Sequence, residues 1–191
     1  MTDTARVIGL IAAAAGGVET IREGFVGPAQ ARGWQVAITL TPTAGRWLDA
    51  TGERTELEGA TGLPVRTSPR VPGEISPHPP VTCYVVAPAT ANTVVKLALG
   101  IADNQALTTA VEAIGLGAVP VIVFPRINAA HARHPAWPGH ITALEGAGVE
   151  IVQGDHLWPL FEPRGAPADR VLPWTAILDA VERLTGDRSA L

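Results

Sequence analysis

Four short stretches most constrain the fold: RVIGLIA (6–12), WQVAITLT (34–41), VTCYVVA (81–87) and VPVIVF (119–124). Each is an almost unbroken apolar run of strand length. A strand with one wet face would alternate apolar and polar residues, so runs like these predict strands buried on both faces of a sheet. Helical patterns separate them: from about Val18 to Ala31, closed by Gly33; from Pro42 and Thr43 through Leu48; and over 92–99, 103–115, 137–147 and 174–185. Pro28 sits awkwardly inside the first of these. Residues 149–152 (VEIV) read as a further strand and 63–67 (LPVRT) as a short one, while 51–62 give a mixed signal. Strands alternating with helices predict a doubly wound parallel sheet, an α/β fold with helices on both faces.

At 191 residues the chain suits one domain over 1–191. Its core is expected over about 5–152, followed by an irregular Pro- and Gly-rich segment (about 153–173) and a C-terminal helix (174–186). Hydrophobic residues make up 47% and charged residues 17%, the reverse of a disordered chain. The formal net charge is 14 − 18 = −4 and there is no basic run, so neither a nucleic acid nor an anionic membrane is the expected partner. Cys83 is the lone cysteine. That rules out an internal disulfide or a cysteine-cluster metal site, and its place in an apolar run reads as core. No apolar stretch reaches the ~18 residues of a membrane span. The polar start, Met1 to Arg6, does not resemble a signal peptide, so a cytoplasmic location is expected.

In doubly wound sheets, ligands bind at the carboxyl ends of the strands. The loops after the predicted strands are therefore where chemistry is expected. Loop 12–17 is all Ala and Gly, which suits a tight turn and equally suits an anion approaching bare amides. In loop 41–46, Thr41 can cap a helix whose first residue is Pro42. Loop 87–93 carries Thr90, Asn92 and Thr93 within four residues. One cap needs one such side chain, so the surplus points to a ligand. Loop 124–131 brings Arg126 and Asn128. His131 and His134 could share a helix face, but Pro135 follows at once and no third ligand is evident, so no metal is expected.

The stretch APATANTVVKLALGIADN (87–104) resembles the Pro-Ala-Ser-Ala-Asn-Thr motif of the flavin-containing cysteine decarboxylases, and FPRINAAHARHPAW (124–137) resembles their second motif, Pro-x-Met-Asn followed by Met and Trp. Those enzymes act on phosphopantothenoylcysteine or on lanthipeptide precursors. Within the superfamily the chain is also similar to stand-alone actinobacterial flavoproteins. The likeness covers most of residues 6–150. It implies a flavodoxin-like, Rossmann-like three-layer α/β/α fold, FMN as cofactor, and a homotrimer or homododecamer with flavin at the subunit interface. It further implies that Thr90, Ala91, Asn92 and Thr93 contact the flavin. The same holds for Ala14, Ala15 and Gly16 of the first loop, for Thr41 and Thr43 of the second, and for the backbone of Arg126. Asn128 matches the asparagine that binds the substrate carboxylate. The reaction implied is oxidative decarboxylation of a cysteinyl group, on a small-molecule or peptide thiol, to an aminoenethiol.

The chain departs from that pattern in three places. The position of the family's catalytic histidine holds Glu74, with His78 four residues on; Glu74 is the candidate for proton transfer, against the plainer reading of a solvated loop glutamate. Ile127, His131 and Ala132 replace the second motif's two Met and its Trp, and the first loop has no Ser or Thr. The same cofactor loops would also serve a flavin reductase, an electron carrier or a non-catalytic flavin binder.

Overall fold

The computed structural model describes residues 6–186. Met1 to Ala5 of the expected polar lead-in, and residues 187–191, lie outside them. Five parallel strands form one sheet in the order β2-β1-β3-β4-β5: β1 (Val7–Ala12), β2 (Gln35–Leu40), β3 (Cys83–Ala89), β4 (Val121–Pro125) and β5 (Glu150–Ile151). This is the flavodoxin-like order, and the fold is the doubly wound α/β architecture that the apolar runs predict. Every residue of β1 and β4 is buried. Successive side chains point to opposite faces and feed two cores. On one face Ile8, Leu10, Val36, Ile38, Val85 and Phe124 pack with Phe25, Trp174, Ile177 and Val181. On the other, Ile11, Val86, Val121 and Val123 pack with Val94, Leu107, Ala110, Ile141 and Leu144.

The helices are α1 (Gly27–Ala31), α2 (Pro42–Ala50), α3 (Glu53–Thr61), α4 (Ala91–Ala98), α5 (Gln105–Leu116), α6 (Ala129–Ala132), α7 (Trp137–Gly146) and α8 (Trp174–Gly186). Several elements differ from the sequence reading, the short helix α6 among them. The helix expected over 18–31 is instead a 3-10 turn (Val18–Thr20), a π-helical segment (Arg22–Val26) and then α1. Pro28 explains this: in a regular α-helix its ring would strike the carbonyl four residues back, and widening the preceding turn avoids the clash. The mixed stretch 51–62 holds α3, entered and left through Gly52 and Gly62 in left-handed conformation. The strand expected at 63–67 is a single parallel bridge between Thr39 and Arg66, because Pro64 offers no N–H to a ladder.

The order of strands changes direction between β1 and β3. Beside this switch point β3 is bulged between Val86 and Ala89, and the Ala87–Pro88 peptide is cis. The freed groups are tied sideways: Ala13 N donates to Pro88 O at 3.0 Å and Arg126 N donates to Ala89 O at 2.7 Å. The loops after β1, β3 and β4 are thereby laced together at one end of the sheet.

Candidate cofactor and substrate site

The loops after β2, β3 and β4 are fixed by local capping bonds, and the loop after β1 also by a contact distant in the chain. After β1, Gly17 adopts φ +97°, and a Cβ there would stand 2.6 Å from Leu172, so only glycine fits. The Glu19 carboxylate accepts from Gly17 N at 3.0 and 3.2 Å. After β2, the Thr41 hydroxyl caps α2 by accepting from Ala44 N, and Thr43 Oγ1 accepts from Arg46. After β3, the Thr90 hydroxyl caps α4 by accepting from Thr93 N at 3.2 Å, and the two hydroxyls share a bond of 2.9 Å. Thr93 is buried, whereas Asn92 is exposed and free to face a ligand. After β4, Asn128 caps the short helix α6, its Oδ1 accepting from His131 N at 3.0 Å.

Ala91, Asn92 and Asn128 line one cavity of about 500 Å³, which also takes in His131, His134 and His140 and is walled by Trp137. His134 Nδ1 accepts from Ala136 N, which leaves Nε2 as the ring's donor. Trp137 also walls a neighbouring cavity of about 280 Å³ that includes Ile127, Asp155 and Trp158. The irregular segment closes this end: Ala129 N donates to Phe161 O at 2.9 Å, and Arg133 pairs with Glu162 at 2.6 Å.

Arg126 reaches from the β4 loop towards the β1 loop, its Nη2 standing 3.6 Å from where a Cβ on Gly16 would be. Its guanidinium lies 4.9 Å over the Trp158 ring, and that of Arg170 lies 3.4 Å over the same ring. Burial pushes the pKa of both arginines down, and for Arg170 the nearby Arg126 charge adds to this. Among the described residues, the buried side-chain N or O atoms without a hydrogen bond are Arg126 Nε and Trp158 Nε1.

The family described as Flavoprotein matches residues 64–186 of the chain. The chain belongs to the Flavoprotein family. One curated relative of this family member, a cysteine/cysteine sulfinic acid decarboxylase from an unknown prokaryotic organism, is 39% identical over 70 residues, which is 37% of the chain. The chain spans only 18% of that relative's length. Among solved structures, the FMN-dependent cysteine decarboxylase SpaF superposes with a TM-score of 0.66 at 20% identity, covering 97% of this chain and 98% of its own. The FMN-dependent cysteine decarboxylase TvaF from thioviridamide biosynthesis gives a TM-score of 0.63 at 25% identity, covering 79% and 91%.

The structure thus draws together Ala91, Asn92 and Asn128 around one cavity, and holds Gly16 beside Arg126 at the neighbouring loops. It places Glu74 elsewhere: the residue is exposed, and its carboxylate accepts from Val71 N in its own loop at 3.0 Å. His78 is half-buried with Nε2 2.8 Å from Pro64 O, and burial pushes its pKa down. Among the described residues there is no group of three or more His, Cys, Asp or Glu side chains placed to hold a metal ion. No described helix is long and apolar enough to cross a membrane. The sequence reading missed His140, Trp158 and Arg170. Trp158 and Arg170 lie in a segment without periodicity, and only their being large or charged in a Pro/Gly-rich stretch marked them.

Proposed function

We propose that the chain is a single FMN-binding unit over residues 1–191 that oxidatively decarboxylates a cysteinyl group at a peptide C-terminus or on a pantothenoylcysteine-like molecule. The observation that carries this reading is the cavity shared by Asn92 and Asn128 beyond the carboxyl ends of β3 and β4, in a chain of the Flavoprotein family. The decarboxylase names of its relatives support the same reaction.

The residues present fit FMN. Ala15 N is taken by Ala13 O at 2.9 Å, but the small side chains of Ala14, Ala15 and Gly16 leave room for an anionic group, and the Arg126 guanidinium that reaches Gly16 carries a buried Nε without an acceptor. By the family resemblance, Thr41, Thr43, Thr90, Ala91, Asn92, Thr93 and the Arg126 backbone would contact the rest of the cofactor, and of these Ala91 and Asn92 line the cavity of about 500 Å³. When bound, FMN would supply the acceptor for the hydride that leaves the thiol-bearing carbon. The chain's own residues do the rest. Because Asn128 Oδ1 is occupied by His131 N, the amide is oriented with Nδ2 outward, able to donate to the substrate carboxylate. With Nδ1 engaged by Ala136 N, His134 presents Nε2 to the cavity as a donor, and Trp137 shields the carboxylate from water, which favours its loss as CO2. Glu74 enters this scheme only if its loop moves or meets a partner subunit.

The reading includes a homotrimer or homododecamer, supported by exposed Leu99 and Ile101 just after α4, and a cytoplasmic location, where a lone reduced cysteine is ordinary. The direct test is to incubate the FMN-loaded protein with Cys-terminated peptides and to look by mass spectrometry for combined loss of CO2 and two hydrogens. Absence of that product across a broad peptide set would refute the decarboxylase assignment. Native mass spectrometry of the same sample reads the subunit count. The position of Glu74, tied to its own loop, favours a flavin reductase as the second reading; bleaching of the bound flavin by a nicotinamide would support it.

A further inference from the structure

The first loop offers an anion only backbone, and part of that is already taken, since Glu19 occupies Gly17 N. Positive charge for an anion must come from elsewhere, and Arg126 brings it. Its Nη2 stands against Gly16, its Nε is buried without a partner, and its side chain makes no hydrogen bond. Arg170 lies over the same Trp158, its one side-chain bond going to Pro159 O at 2.8 Å. Neither guanidinium forms an ion pair with a carboxylate, although Glu19 lies within the field of Arg126. Two like charges, partly desolvated and gathered on one indole without a counterion, are costly to hold. A dianion placed between Arg126 and the Gly16 amide relieves that cost, and a planar guanidinium matches phosphate oxygens in pairs.

We propose that the Arg126 side chain, backed by Arg170 across Trp158, seats the phosphate monoester of FMN, in place of the hydroxyl that the first loop lacks. This rests on the flavin reading above. It makes the protein selective for FMN over riboflavin, which shares the ring system and lacks the phosphate.

The test compares FMN and riboflavin binding, by quenching of flavin fluorescence, in the wild-type protein and in Arg126→Met, Arg126→Lys and Arg170→Met. Methionine keeps an apolar stem against Trp158 and removes the charge. The wild-type protein is expected to prefer FMN strongly, with the gap narrowing as ionic strength rises. Arg126→Met should weaken FMN by about tenfold or more and leave riboflavin unchanged. Arg126→Lys should restore part of the gap, and Arg170→Met should reduce it in the same direction by less. Unchanged riboflavin affinity shows that the variant is folded. Equal binding of the two flavins by the wild-type protein, or an Arg126→Met variant that keeps the gap, overturns this assignment alone. A wild-type protein that takes up neither flavin removes the flavin reading and this assignment with it.

Discussion

On the proposed function, Asn128 would serve two ends with one amide. The oxygen caps α6 through His131 N, and the nitrogen would be left to meet a substrate carboxylate. The two roles separate by substitution. Aspartate is as good a cap as asparagine, so Asn128→Asp should hold stability to within about 0.5 kcal/mol in denaturant unfolding. It replaces the donor with a charge that repels a carboxylate, and turnover of Cys-terminated peptides should fall by at least about tenfold. Asn128→Ala loses both functions and should cost about 1 kcal/mol as well. Glu19 offers a test of the opposite sign. Its carboxylate competes for the loop amide that an incoming phosphate would approach. Glu19→Gln keeps the side chain's shape and removes its charge, so FMN should bind several-fold tighter while riboflavin is unaffected, read by the same fluorescence titration.

At the scale of elements, β3 and α4 show what a sequence can disclose. The run VTCYVVA was legible as a buried strand because both faces of β3 are covered, and the crowding of Thr90, Asn92 and Thr93 marked its carboxyl end as more than a turn. In the structure Thr90 and Thr93 serve each other as the cap, and Asn92 is the one left facing the cavity. Thr90→Ala should therefore cost about 1 to 2 kcal/mol, since it also strips the partner from the buried Thr93 hydroxyl; denaturant unfolding measures it. The widened turn before Pro28, the short helix α6 and the Trp158–Arg170 stack were not legible, because each depends on neighbours distant in the chain and leaves no period in the sequence. Cys83 opens β3, and burial pushes its thiol up to about 12. The folded state thus favours the neutral thiol more than the unfolded state does, where the pKa is near 9. Its contribution is fully present below about pH 9 and is lost as pH rises towards about 12. Stability of the wild-type protein should fall across that window more steeply than that of Cys83→Ala, and the native thiol should resist alkylation at neutral pH until the protein is unfolded.

At the scale of the whole molecule, the last helix reaches back to the first loop. Trp174 at the start of α8 donates from Nε1 to Thr20 Oγ1 at 3.1 Å and packs edge-on against Phe25. Gly24 makes room for it, since a Cβ there would come within 2.1 Å of the indole. Further along, Glu182 accepts from Trp34 Nε1 at 2.7 Å and pairs with Arg6 at 2.6 Å, joining α8 to the ends of β1 and β2 at which they begin. Leu172, two residues before α8, fills the space against Gly17. The β1 loop is therefore held from behind by residues about 150 positions later (|i−j| is 154 for Thr20 and Trp174), and its geometry belongs to the assembled molecule more than to its own Ala/Gly sequence. Trp174→Phe keeps most of the packing and removes the donor to Thr20. It should lower stability by about 1 to 2 kcal/mol in denaturant unfolding. If the loop amides take part in seating the phosphate, the same variant must also weaken FMN while riboflavin binding changes less. A loss of stability with the FMN preference intact would instead place the whole of that selectivity on the Arg126 guanidinium and none on the loop.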